Sequence, residues 1–168
     1  MTKRHVLSKI ARLYDPLGWI APIIVTAKIY IQKLWKSGLS WDEALTESLM
    51  KEWLGFENDL AKIERIVIPR WVNTRKEDKI ELHVYADASQ AAYAAAVYLK
   101  SVDNNGQVCV NLVSAKTKVS PIGKEVSIPR LELCAALLGT KLIYEISHIM
   151  KISKENLYAW SDSTVVLA

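Results

Sequence analysis

The chain has 168 residues, 51% of them apolar and 24% charged, with a net charge of +4. That length holds one ordinary domain or two small ones, and the apolar share supports a buried core, which excludes a disordered or collagen-like chain. Two cysteines, Cys109 and Cys134, are too few for a disulfide framework or a zinc site and fit a reducing compartment. Lys9 and Arg12 interrupt any signal-peptide pattern, and Gly18, Pro22, Lys28 and Lys33 cut the apolar stretch at 17–35, so no membrane span is expected. Charge is uneven. The first 76 residues hold 13 of the 22 Lys and Arg but only 8 of the 18 Asp and Glu. A basic half suits a phosphate backbone, and a solvated surface explains it equally well.

The first half reads as helical. Pro22 suits a first turn, Ile23, Ala27, Ile31 and Leu34 follow at helical spacing, and Gly38 supplies a stop. Thr46 is a good N-cap for a second helix whose stripe is Leu49, Trp53, Phe56, Leu60 and Ile63, a pattern that usually marks core. The pattern ends at Pro69. Residues 73–78 carry no apolar side chain and read as a linker between a domain at 1–72 and a domain at 79–168.

After the linker the period becomes two. Ile80, Leu82, Val84 and Ala86 share one face of a strand, and Glu81, His83, Tyr85 and Asp87 the other. Residues 91–99 form a second strand, Asp103-Asn104-Asn105-Gly106 a hairpin turn, and residues 108–113 a third strand. A loop is expected over 116–125. Ser127 then caps a long helix with Pro129 in its first turn and a buried stripe of Leu131, Ala135, Leu138, Leu142, Ile146 and Ile149. Residues 157–161 make a short fourth strand, and Asp162-Ser163-Thr164 looks like the cap of another helix. Three hairpin strands and a crossover helix imply an α/β (α+β) fold with a mixed sheet.

Three acids stand where strand ends and a helix start gather at one sheet edge: Asp87, Glu132 (placed in the first turn of the long helix) and Asp162. Hard divalent cations take such oxygen ligands, and converging carboxylates need a cation to offset their repulsion. Each acid also has an ordinary reading. Asp162 caps a helix, Glu132 complements a helix dipole, and Asp87 makes an Asx turn. His5, His83 and His148 are too scattered for a metal cluster, and His83 reads as a packed or surface residue. Trp71 beside Arg70 is a weak candidate for base stacking.

At these residues the chain resembles the ribonuclease H domain of reverse transcriptases: Asp87-Ala88-Ser89 at a strand end, Glu132 on a helix, then Ser161-Asp162-Ser163. With Tyr14-Asp15-Pro16-Leu17-Gly18, Ala115-Lys116-Thr117-Lys118-Val119, the block Pro129-Arg130-Leu131-Glu132-Leu133-Cys134 and Trp160-Ser161-Asp162-Ser163-Thr164, it resembles the polyprotein of Pao/BEL-type LTR retrotransposons over nearly its whole length.

The resemblance implies a thumb or connection-like helical segment at 1–72 and an RNase H-like domain at 79–168. That domain is expected to be C-terminally truncated, since the family's fourth carboxylate comes from a later helix. The implied reaction is hydrolysis of the RNA strand of an RNA–DNA hybrid. Asp87, Glu132 and Asp162 would hold two Mg²⁺ ions (Mn²⁺ substituting), one activating water and one stabilising the leaving oxygen. Ser89, Arg130 and Ser163 are the candidate substrate contacts. Ile128 and Pro129 stand where the family often has polar side chains. The implied partners are the hybrid and the rest of the polyprotein, in a cytoplasmic virus-like particle or the nucleus. The competing reading is a non-catalytic remnant that binds nucleic acid or serves only structurally. An aspartic-peptidase label attaches to Pao-type proteins, but the chain has no Asp-Thr/Ser-Gly motif; an integrase would need Glu as its third acid.

Overall fold

The helical first half consists of α1 (Lys3–Ile10), α2 (Ala21–Lys36) and α3 (Glu47–Leu60), the last tightening into a 3₁₀ turn at Ala61–Arg65. The computed structural model describes residues 1–72, 74–75, 77–123 and 125–168, so Asn73 and Lys76 of the expected linker lie outside the described residues. Thr46 caps α3 as expected, accepting from the Leu49 N–H. Pro22 sits in the first turn of α2. α1 has no counterpart in the sequence reading, because Lys, Arg, His and Ser fill five of its eight positions and hide the period. Its Val6 nevertheless packs with Tyr30 and Leu34 of α2, Leu45, and Trp53 of α3 in one buried cluster.

Four strands follow: β1 (Lys79–Ala88), β2 (Ala92–Val102), β3 (Val108–Val119) and β4 (Leu157–Trp160). Their order is β3-β2-β1-β4, with β1 antiparallel to β2, β2 antiparallel to β3, and β4 parallel to β1. The parallel pair is joined by the crossover helix α4 (Ile128–Met150), so the sheet is mixed, as expected. A short helix, α5 (Thr164–Leu167), ends the described chain.

The β2–β3 turn forms where expected. Gly106 has φ +81°, and the Asp103 carboxylate accepts from the N–H groups of Asn105 and Gln107. β3 runs six residues past the expected end. A register shift at Val97/Tyr98 leaves Val113 as an extra residue, and Ala115 to Val119 then pair with Ala96 to Ala92, so 116–119 is strand rather than loop.

One sheet face carries Leu82, Val84, Ala95, Val97 and Leu99 against Leu142, Ile143 and Ile146 of α4. Gly139 lets α4 approach closely; a Cβ there would lie 3.1 Å from Val84 Cγ2. Ser127 is the N-cap of α4 by position, but its side chain makes no capping bond. Ile149 departs from the expected stripe and is 78% exposed. By length and composition α4 alone among the described helices is apolar enough to cross a membrane, which the sequence reading overlooked. Here its apolar stripe is buried against the sheet.

The helical half is clasped onto β3 through Asp15 to Trp19. The two Asp15 carboxylate oxygens accept from the N–H groups of Trp19 (2.8 Å) and Ile20 (3.0 Å), closing a tight turn. The Leu17 carbonyl accepts from Ala115 N–H and Ser114 Oγ, each at 2.8 Å, and Trp19 Nε1 donates to the Val113 carbonyl at 3.1 Å. Gly18 has φ +77°, and a Cβ there would lie 1.7 Å from the Ala115 carbonyl oxygen, so only glycine fits.

Candidate metal and nucleic-acid site

The parallel pairing of β1 and β4 brings Asp87, near the end of β1, and Asp162, two residues past the end of β4, to one end of the sheet. Tyr85 is registered with Trp160, and Asp87 and Asp162 each lie two residues further on. Two residues along a strand return a side chain to the same face, so Asp87 shares the face of Tyr85. Both acids, with Tyr85 and Trp160, line an open cavity of about 720 Å³ between the sheet face without α4 and the Gly18–Trp19 turn. This is the carboxyl end of the parallel strands, where open α/β sheets bind ligands.

Glu132 arrives from the other layer. It is the fifth residue of α4, not part of its first turn, so the helix-dipole reading loses its basis. Its Oε2 accepts a 2.6 Å hydrogen bond from Ser163 Oγ, the residue after Asp162. Ser163 is buried and also caps α5 by accepting from Val166 N–H, so its hydroxyl is spent inside the protein rather than offered to a substrate. Asp162 does not cap α5. Asp87 accepts from the adjacent Ala88 N–H, at 2.7 Å.

The other expected contacts divide. Ser89 uses its hydroxyl in the β1–β2 turn, donating to the Ala92 carbonyl and accepting from Ala92 N–H. Arg130 is exposed on α4, as a phosphate contact would require. Trp71 is exposed too.

Among the described residues, no group of three or more His, Cys, Asp or Glu side chains converges closely enough to hold a metal ion. Asp87 and Asp162 fit a hard divalent cation as a pair, since Mg²⁺ is commonly held by one or two carboxylates, with water and substrate phosphate completing its octahedron. Glu132 stands outside that pair while Ser163 holds it.

Sequence reasoning missed a network on the same sheet face. Glu81 is buried with Lys100 Nζ at 2.9 Å, Lys79 Nζ at 3.3 Å and His83 Nε2 at 3.3 Å. The Lys100 hydrogen bond above all, helped by Lys79 and His83 and opposed by burial, holds its carboxyl down at about 2. Trp160 Nε1 donates to His83 Nδ1 at 3.1 Å. The rings form a row: Tyr158 on His83 (centroids 4.9 Å), then Trp160 beside Tyr85 (6.2 Å), and Tyr85 edge-on to Tyr98 (5.8 Å). The available signal was the polar alternation Glu81-His83-Tyr85, but it becomes a network only once β4 is known to pair with β1.

A mixed sheet backed by one crossover helix, with two acids on one cavity at the end of its parallel pair, is the arrangement of an RNase H-like domain. The chain belongs to the Pao retrotransposon-like RNaseH-like domain family, whose profile matches residues 2–163 and so includes the helical half. No curated protein matches the chain. Among solved structures, the foamy viral protease-reverse transcriptase dRH in complex with double-stranded DNA is similar at 13% identity and a TM-score of 0.39. The similarity covers 97% of this chain, which spans 29% of that chain's length.

Proposed function

We propose that this RNase H-like domain serves a retrotransposon polymerase polyprotein by hydrolysing the RNA strand of RNA–DNA hybrids with Mg²⁺ or Mn²⁺. The observation that carries the reading is the pair Asp87 and Asp162, which line one cavity at the end of the parallel β1–β4 pair. Bound there, the cations would supply an activated water and a stabilised leaving oxygen. Asp87 and Asp162 hold the metal side of the site, and Glu132 joins them by exchanging its Ser163 hydrogen bond for the cation. The hybrid would be read through groove shape and 2′-hydroxyls, with Arg130 at a phosphate.

A second reading has its own support. The Glu132–Ser163 bond, with no three-acid cluster among the described residues, favours a domain that binds nucleic acid, or serves structurally, without cutting. Cleavage of a labelled RNA–DNA hybrid in Mg²⁺ and in Mn²⁺ separates the two. The nuclease reading expects cleavage by the wild type that falls to background in Asp87→Asn and Asp162→Asn. Equal cleavage by wild type and variants defeats it, and hybrid binding with no cleavage leaves the second reading standing.

A further inference from the structure

We propose that His83 is a positioning residue for the Asp162 carboxylate, acting through the indole of Trp160. This rests on the reading of Asp162 as a metal ligand. An indole N–H only donates, so His83 Nδ1, which receives it, is the bare nitrogen of the ring. Nε2 then carries the proton and faces Glu81 Oε2. Glu81 is itself fixed by Lys100 and Lys79, so a charged, anchored carboxylate sets the tautomer and ring orientation of His83.

The ring is only 14% exposed and lies beside the β4 rings, 13° from the Tyr158 plane and 19° from the Trp160 plane. Stacking alone is available to any aromatic residue. Two directional hydrogen bonds of opposite sense are not, and they are what an imidazole adds.

Their effect falls on the site. Trp160 is the last residue of β4, a strand of four residues, and Tyr85↔Trp160 is the last pair it makes with β1. Beyond it the chain leaves the sheet, and Asp162 follows after one residue. Trp160 is half exposed, and it lines the cavity with Asp87 and Asp162. The bond to His83 therefore pins the final paired residue before the carboxylate. Groups hydrogen-bonded directly to metal ligands typically contribute about 10–100-fold to metal affinity, and His83 acts one residue further out, through Trp160.

The test uses the full chain, Mn²⁺ as the probe, and two readouts: Mn²⁺ affinity by paramagnetic resonance, and the Trp160 indole N–H signal in metal-free protein, assigned by its disappearance in Trp160→Phe. His83→Phe keeps a ring in the stack but loses both hydrogen bonds. His83→Gln loses the ring but can accept from the indole and donate to Glu81. Positioning predicts a shifted indole signal and about tenfold weaker Mn²⁺ binding in His83→Phe, with both largely restored in His83→Gln. Trp160→Phe, which preserves stacking without the N–H, should lose affinity to the same degree.

A purely structural role predicts the reverse order, with His83→Phe equal to wild type and His83→Gln impaired, and that result overturns the proposal. Undiminished Mn²⁺ affinity in both His83→Phe and Trp160→Phe, together with loss in Asp162→Asn, removes His83 while leaving the nuclease reading intact. A wild type that binds no Mn²⁺ removes both.

Discussion

Glu81 is a carboxylate whose ordinary value of 4.5 is held down at about 2, chiefly by Lys100. A folded-state value below the unfolded one means that the folded state binds fewer protons. Glu81 therefore contributes stability that is present above about pH 4.5 and is lost as pH falls through that window toward about 2. Urea unfolding between pH 6 and pH 2 should show wild type losing stability more steeply than Glu81→Gln below pH 4.5. Parallel curves would show that the pairing adds nothing. The network was invisible in the sequence because its two halves, Glu81-His83 and Trp160, lie 77 positions apart and meet only through the β1–β4 register. Asp87 and Asp162 were legible for the opposite reason. Asp87 is the last but one residue of β1 and Asp162 follows β4, so local pattern alone puts each near a strand end. Glu132 was legible as an acid of the long helix but not in its partner, since Ser163 reaches it from a different element.

α4 shows how far periodicity carries and where it stops. The expected stripe ran through Leu131, Ala135, Leu138, Leu142, Ile146 and Ile149, at steps of three and four. At about 3.6 residues per turn Leu131 and Ile149 share one side of the helix, so periodicity alone does not separate the buried Leu131 from the exposed Ile149. In the last turns the buried positions are Ile143, Ile146 and Ser147, of which the expected stripe held Ile146, and Ile149 faces out. The two isosteric truncations should accordingly differ. Leu142→Ala is expected to cost about 2–5 kcal/mol, and Ile149→Ala to stay within about 0.5 kcal/mol, by denaturant midpoint. Similar costs at both positions would place Ile149 back in the core. β3 was cut short for another reason. Residues 114–119 hold two lysines, a serine and a threonine and lack a clean apolar alternation. They are strand because the alanine-rich start of β2 offers a paired backbone and the Leu17 carbonyl takes up the Ala115 N–H. Partners distant in sequence supply that ladder, so local composition does not report it.

At the scale of the whole molecule there are two apolar cores, one among α1, α2 and α3 and one between α4 and the sheet. Each belongs to a segment under 100 residues, a size at which a single core gives marginal stability. The joint between them consists largely of the Asp15–Trp19 clasp on β3, supplemented by Lys28 Nζ and Gln32 Nε2 donating to the Thr117 and Ser120 carbonyls. The sequence reading saw Tyr14 to Gly18 only as a family signature and put a boundary at 73–78. Its physical use is to cover the outer backbone of β3 and fasten the helices there, in keeping with a family match that spans both halves. If the clasp couples the cores, wild type should unfold in one transition, with Trp53 reporting the helical core and Trp160 the sheet at the same urea midpoint. Gly18→Ala combines a left-handed backbone with a clash at Ala115 and should cost about 2–4 kcal/mol. Asp15→Ala removes the acceptor of two N–H groups and should act in the same direction more mildly. In both variants the Trp53 transition should separate from the Trp160 transition and move to lower urea. Two separate transitions already present in the wild type would instead show that the halves fold independently and that the clasp only tethers them.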